Sequence, residues 1–124
     1  MLIVVIAGGE DQKEFQDKEI PEGVQVQFVT SLAEAKADAH AYFFLLSDDE
    51  IDASSQALQA LGAPVFIKGA GDLKMLPNNF AKISPWPGFL FAESIEVHSS
   101  DKNKVAEVFD RLQWKYIHKM LQTD

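Results

Sequence analysis

The amino-acid sequence predicts an α/β domain, a three-layer sandwich built on a mainly parallel sheet, and three observations carry that expectation. Leu2–Ile6, Ala41–Leu46 and Pro64–Ile67 are short, uninterrupted apolar runs, the pattern of strands covered on both faces. Turn and helix signals separate the runs, and right-handed crossovers convert such an alternation into a parallel sheet with helices on each side. A glycine turn, Gly8–Gly9, follows the first run at once, at the carboxyl end of a strand, where open α/β sheets place their ligands. Together these features describe a Rossmann-like sandwich whose late strands are free to run in either direction.

The bulk numbers bound the answer. A length of 124 residues predicts one domain over residues 1–124, and 47% hydrophobic residues with nine Phe predict a packed core. The net charge of −8 argues against nucleic acid and against an anionic membrane surface as partners. Cysteine is absent, which excludes disulfides, thiolate metal sites and cysteine nucleophiles. No basic region precedes the first apolar run, and that run is too short to span a bilayer, so the expected location is cytoplasmic.

Element by element, the first strand is followed by Glu10–Glu19, whose one large apolar residue, Phe15, cannot supply a buried stripe. A short exposed helix or a loop is expected there. Pro21 and Gly23 mark a turn, and Val24, Val26 and Phe28 alternate with Gln25 and Gln27 as in a half-buried strand near a sheet edge. Ser31 and Glu34 have the spacing of a capping box and predict a helix with Leu32, Ala35 and Ala39 on one face. Asp52 is the expected cap of a helix carrying Leu58 and Leu61 and stopped by Gly62.

The second half is less regular. A loop is expected over Gly69–Asn79, with a turn of helix at Leu73–Leu76, then strands at Phe80–Ile83 and Ser94–His98. Val105, Val108, Phe109 and Leu112 recur at i, i+3, i+4 and i+7, behind a Ser100 cap, and predict an amphipathic helix. Trp114–Met120 is the last expected strand, and no helical domain is expected after it.

From Phe80 to Met120 the chain resembles the end of the NAD-binding domain of 3-hydroxyacyl-CoA dehydrogenases. Ile83-Ser84-Pro85-Trp86-Pro87-Gly88 stands in the register of that family's strand and His-Phe-Phe-Asn-Pro turn, Ser94-Ile95-Glu96-Val97-His98 in that of Leu-Val-Glu-Val-Val, and the following helix and Leu112-Gln113-Trp114-Lys115 keep the family's distance. The resemblance implies the Rossmann-like fold and an NAD-related ancestry. The departures argue against the family's chemistry. Its G-x-G-x-x-G falls on Ala7, Gly9 and Gln12, its ribose-binding acid is missing after Val29-Thr30, and its catalytic histidine position carries Ser84. Glu10 and Asp11 also place negative charge where a pyrophosphate would meet a helix start. No catalytic residue, no metal and no resident cofactor is therefore expected, and NAD enters by resemblance alone.

What remains of the turn and crevice is Ala7, Gly8, Gly9, Ser47, Lys68 and Gly69, the candidate positions for a small-molecule ligand. Lys68 either meets an anionic ligand there or pairs with Asp48 or Asp49. A rival expectation is a phosphoacceptor receiver domain, with Glu10–Asp11 holding Mg²⁺ and Asp48 or Asp49 as acceptor; the acids otherwise cap helices. His40, His98 and His118 lack ligand spacing, and Ser47, Ser54 and Ser55 lack a nucleophile-elbow context. Trp86, Phe89, Leu90 and Phe91 occupy the side that the related enzymes cover with a helical domain, and they predict a homodimer unless they fold back on the helix Lys102–Leu112.

Overall fold

The structure, a computed structural model, describes residues 1–16, 20–46, 48–67, 79–84, 91–92, 94–98, 102–112, 115–116 and 121–123. In chain order its elements are β1 (Leu2–Ala7), α1 (Gly9–Gln16), β2 (Gln25–Val29), a 3-10 turn (Leu32–Glu34), β3 (Ala41–Leu45), α2 (Asp48–Ala60) and β4 (Val65–Ile67). There follow β5 (Phe80–Ser84), β6 (Phe91–Ala92), β7 (Ser94–His98), α3 (Lys102–Leu112), β8 (Lys115–Tyr116) and β9 (Leu121–Thr123).

The main sheet has the order β2-β1-β3-β4-β5-β7-β9. Its first five strands are all parallel, with Val5 opposite both Phe28 and Phe43, and Phe66 opposite both Phe43 and Ala81. β7 then runs antiparallel to β5, placing Ile95 against Ile83, and β9 runs parallel to β7. β6 and β8 form a separate parallel pair. The fold is thus the expected Rossmann-like α/β sandwich with mixed late strands. The order reverses between β1 and β3, on whose carboxyl side ligands gather in doubly wound sheets.

Alternation along the strands builds two cores. Ile3, Val5, Phe43 and Phe66 face one side, where α3 lays down Val105, Val108, Phe109 and Leu112. The rings of Phe43 and Phe66 stack at 4.6 Å, and Phe109 lies 5.7 Å from Phe66. Val4, Ile6, Tyr42, Phe44, Val65 and Phe80 face the other side, under Ile51 and Leu58 of α2. Each such burial contributes about 1.5–3 kcal/mol, so strands covered on both faces hold the sheet together. β2 is an edge strand as expected, its Gln25 exposed and its apolar Val26 and Phe28 half-buried.

Three expectations are corrected. The capping-box helix after Ser31 is a single 3-10 turn: Ser31 makes no side-chain cap, and Ala35 is already extended at ψ 142°. The Glu34 carboxylate instead accepts from the Thr30 and Ser31 hydroxyls at 2.9 and 3.0 Å, while Gln27 accepts from the Lys36 N–H. α2 begins at Asp48 rather than after Asp52, because Asp48, Asp49 and Glu50 give its first turn the negative charge that a helix start favours. Gly62 ends it with φ +72°, as the sequence predicts. The described strand residues near the end divide between two sheets, Lys115–Tyr116 with β6 and Leu121–Thr123 with β7. Ser100, Trp114 and the segment Gly69–Asn78 lie outside the described residues, as do the interface residues Trp86, Phe89 and Leu90. Phe91 begins β6.

Candidate functional site

The sheet positions the candidate site at the carboxyl ends of β1 and β3. α1 starts directly after β1, with Gln12 N–H donating to Gly8 O at 3.0 Å, so Gly8 and Gly9 form the tight turn the sequence predicts. Gly8 and Gly9 are exposed, and a Cβ on either would meet no atom within 4 Å. The turn is open, and among the described residues nothing packed against it demands glycine.

The third fingerprint position decides what the turn can hold. Gln12 sends its side-chain Nε2 back under the turn to donate to Ala7 O at 2.9 Å and to Val29 O at 3.1 Å. It therefore ties the last residues of β1 and β2 together across the gap where a dinucleotide's diphosphate and ribose would pass. A glycine there would take this donor from both carbonyls and allow close helix packing; the carboxamide occupies that space. Glu10 stands exposed in the first turn of α1, opposing a phosphate on the same helix end. The described residues of this turn do not fit NAD.

Across the strand reversal, Asp48 and Asp49 open α2, and Asp49 is exposed. Acids from two helix starts thus flank the crevice. Among the described residues no group of three or more His, Asp or Glu is placed to hold a metal ion. Ser47, Lys68 and Gly69, which follow β3 and β4 in the chain, lie outside the described residues.

No family model, curated protein or solved structure matches this chain.

The remaining polar features are at the opposite end of the parallel strands. Before β3, the His40 N–H donates to Leu2 O at 2.8 Å and His40 Nδ1 accepts the Leu2 N–H at 3.1 Å. This pairing leaves His40 exposed and assigns its ring proton, in the neutral form, to Nε2. Asn79, buried just before β5, donates from Nδ2 to Leu58 O and to Ala63 O, both at 3.0 Å. A cleft of about 460 Å³ opens beside them, along the amino ends of β1, β3 and β4. Sequence reading missed it because its walls come from segments far apart in the chain, with no shared motif. No helix among the described residues is long and apolar enough to cross a membrane.

Proposed function

We propose that this domain is a non-catalytic Rossmann-like relative of the dehydrogenase cofactor domain, and that it binds a small ligand or a partner rather than NAD. The observation that carries the reading is the double hydrogen bond from Gln12 to Ala7 O and Val29 O, which closes the dinucleotide path between β1 and β2. Glu10 adds negative charge at the same helix start, and Thr30 after β2 offers no acid to a ribose. Ser84, which ends β5, is the residue that the resemblance puts in register with the family's catalytic histidine. Calorimetric titration with NAD⁺ and NADH is the direct test. No heat of binding at micromolar cofactor is expected, and a micromolar dissociation constant would return the chain to the cofactor-binding domains.

A second reading has one observation in its favour. The five parallel strands follow the order β2-β1-β3-β4-β5 of the flavodoxin-like sheets, and the acids of α1 and α2 flank its reversal point. That placement is the one a receiver domain needs, with Asp48 or Asp49 as phosphoacceptor. Incubation with acetyl phosphate and Mg²⁺ separates the two readings by mass spectrometry. The non-catalytic reading expects no phosphoryl adduct, whereas an adduct abolished by Asp48→Asn or Asp49→Asn supports the receiver.

A further inference from the structure

The cleft at the amino end straddles the sheet, so its two walls come from the layers on opposite faces. One wall is α3, from which Lys104, Glu107, Val108 and Arg111 line it. Arg111 is engaged with Glu107 at 3.6 Å, whereas Lys104 is exposed and has no ion pair among the described residues. The other wall comes from the α2 layer: Asp38, also exposed and unpaired among the described residues, and Leu61–Pro64 at the carboxyl end of α2. α2 has no basic residue in its last turn, so the negative end of its dipole is uncompensated by its own side chains. Ala39, Pro64 and Val108 add apolar lining, and His40 lines the cleft as well.

The charge balance is local. The chain carries 19 acidic residues against 11 Lys and Arg, yet the described lining holds two charged side chains of each sign, Lys104 and Arg111 against Asp38 and Glu107, beside the Met1 amino group, which donates to Gly23 O. With Arg111 and Glu107 paired to each other on the α3 wall, the side-chain charges left without an ion pair among the described residues are Lys104 on that wall and Asp38 on the other. Its volume of about 460 Å³ falls within the roughly 300–1,000 Å³ of small-molecule sites, as does its mixture of apolar lining and few polar groups.

We infer that this cleft binds a small zwitterion, a molecule with a carboxylate and an ammonium joined by a short aliphatic spacer. The carboxylate faces Lys104 on α3, the ammonium faces Asp38 and the carboxyl end of α2, and the spacer covers Ala39, Pro64 and Val108. An anion alone would lie against Asp38 and the α2 dipole, and a cation alone against Lys104; only a ligand of both signs satisfies both walls. This site is separate from the β1–β3 crevice and stands whatever that crevice binds.

The test uses the full chain and three probes: 6-aminohexanoate, with hexanoate and hexylamine as controls that each lack one charge. Two-dimensional amide NMR reports where they bind, and the shifts are expected at Ala39, Gly62 and Val108. A charge-assisted contact is worth about tenfold, so 6-aminohexanoate should bind roughly tenfold more tightly than either control. Lys104→Gln should reduce its affinity to that of hexylamine, and Asp38→Asn to that of hexanoate. Both residues are exposed, so the variants keep the fold, and unchanged spectra away from the cleft verify this. Shifts confined to other regions, no shift at millimolar 6-aminohexanoate, or equal affinity for it and hexylamine would each overturn the inference.

Discussion

A side-chain carboxamide donates twice at each end of the parallel strands, and the two behave differently because of where they sit. At the carboxyl end, half-buried Gln12 bridges the ends of β1 and β2 beside an open glycine turn. At the amino end, Asn79 is only 7% exposed and bridges the end of α2 to the residue two before β4. Gln12 closes a place where this fold class commonly binds ligands. Asn79 works from beneath, holding Ala63, and the cleft lined by Ala63 stays open. The same chemical group thus spans two strand ends beside the glycine turn and holds one lining residue of the cleft at the opposite end.

The largest effect is expected at Asn79. Asn79→Ala takes this donor from the part-buried Ala63 carbonyl, while Leu58 O keeps the Leu61 N–H at 3.2 Å. One part-buried acceptor deprived of its donor and one bond lost from a buried one should cost about 2 kcal/mol. Urea unfolding should show this as a lower midpoint at unchanged slope. Asn79→Asp, which keeps the shape but puts a carboxylate against two carbonyls, should cost at least as much at neutral pH. A loss below about 1 kcal/mol for either variant would show that water can replace the amide, and that the two ends do not differ in this respect.

At Gln12 the expected loss is smaller, because water reaches the turn. Gln12→Ala should lower stability by about 1 kcal/mol, and Gln12→Gly by about 1 kcal/mol more, the ordinary cost of glycine within a helix. The glycine variant also restores the third fingerprint position. It should still not take up NAD⁺ in a calorimetric titration, since Glu10 and Asp11 remain in the first turn of α1. Recovery of micromolar binding would assign the block to the carboxamide alone and remove the acids from the explanation.

This contrast also marks what could be read from the chain. The buried strands were legible because covering both faces leaves an apolar run with no alternation: expected 2–6, 41–46 and 64–67 became Leu2–Ala7, Ala41–Leu45 and Val65–Ile67. α3 was legible because all four residues at its helical spacing are buried. The glycine turn and the acids beside it could be placed at the strand ends. The bond from Gln12 to Val29, 17 residues away, could not, because its partner is a carbonyl that any residue would supply. Strand order and the antiparallel β7 were equally hidden, since local pattern does not encode which neighbour a strand pairs with. The Ser31 helix failed for a local reason: the Ser31 hydroxyl, the expected cap, donates to Glu34 beside that of Thr30 and makes no cap to the backbone.

That pairing sets the smallest and most local contrast, at the end of β2. Thr30 and Ser31 each donate a hydroxyl to Glu34 Oε1, and these bonds, the Thr30 one foremost, hold the Glu34 carboxyl below its ordinary range. Both bonds favour the charged form, so the folded state binds its proton less readily than the unfolded chain. The sign follows from linkage: the contribution is fully present above the unfolded glutamate value of about 4.3 and is lost as pH falls through the lower folded value. The carboxylate is exposed, so the effect belongs to the turn and not to global stability. Thr30→Val removes the larger donor and should move the Glu34 midpoint upward, read from its side-chain carboxyl carbon by NMR between acidic and neutral pH. Thr30→Ser keeps the hydroxyl and should leave the midpoint low. An unchanged midpoint in the valine variant would mean that Ser31 alone holds the charge, and that the turn after β2 is set by its backbone and not by this pair of hydroxyls.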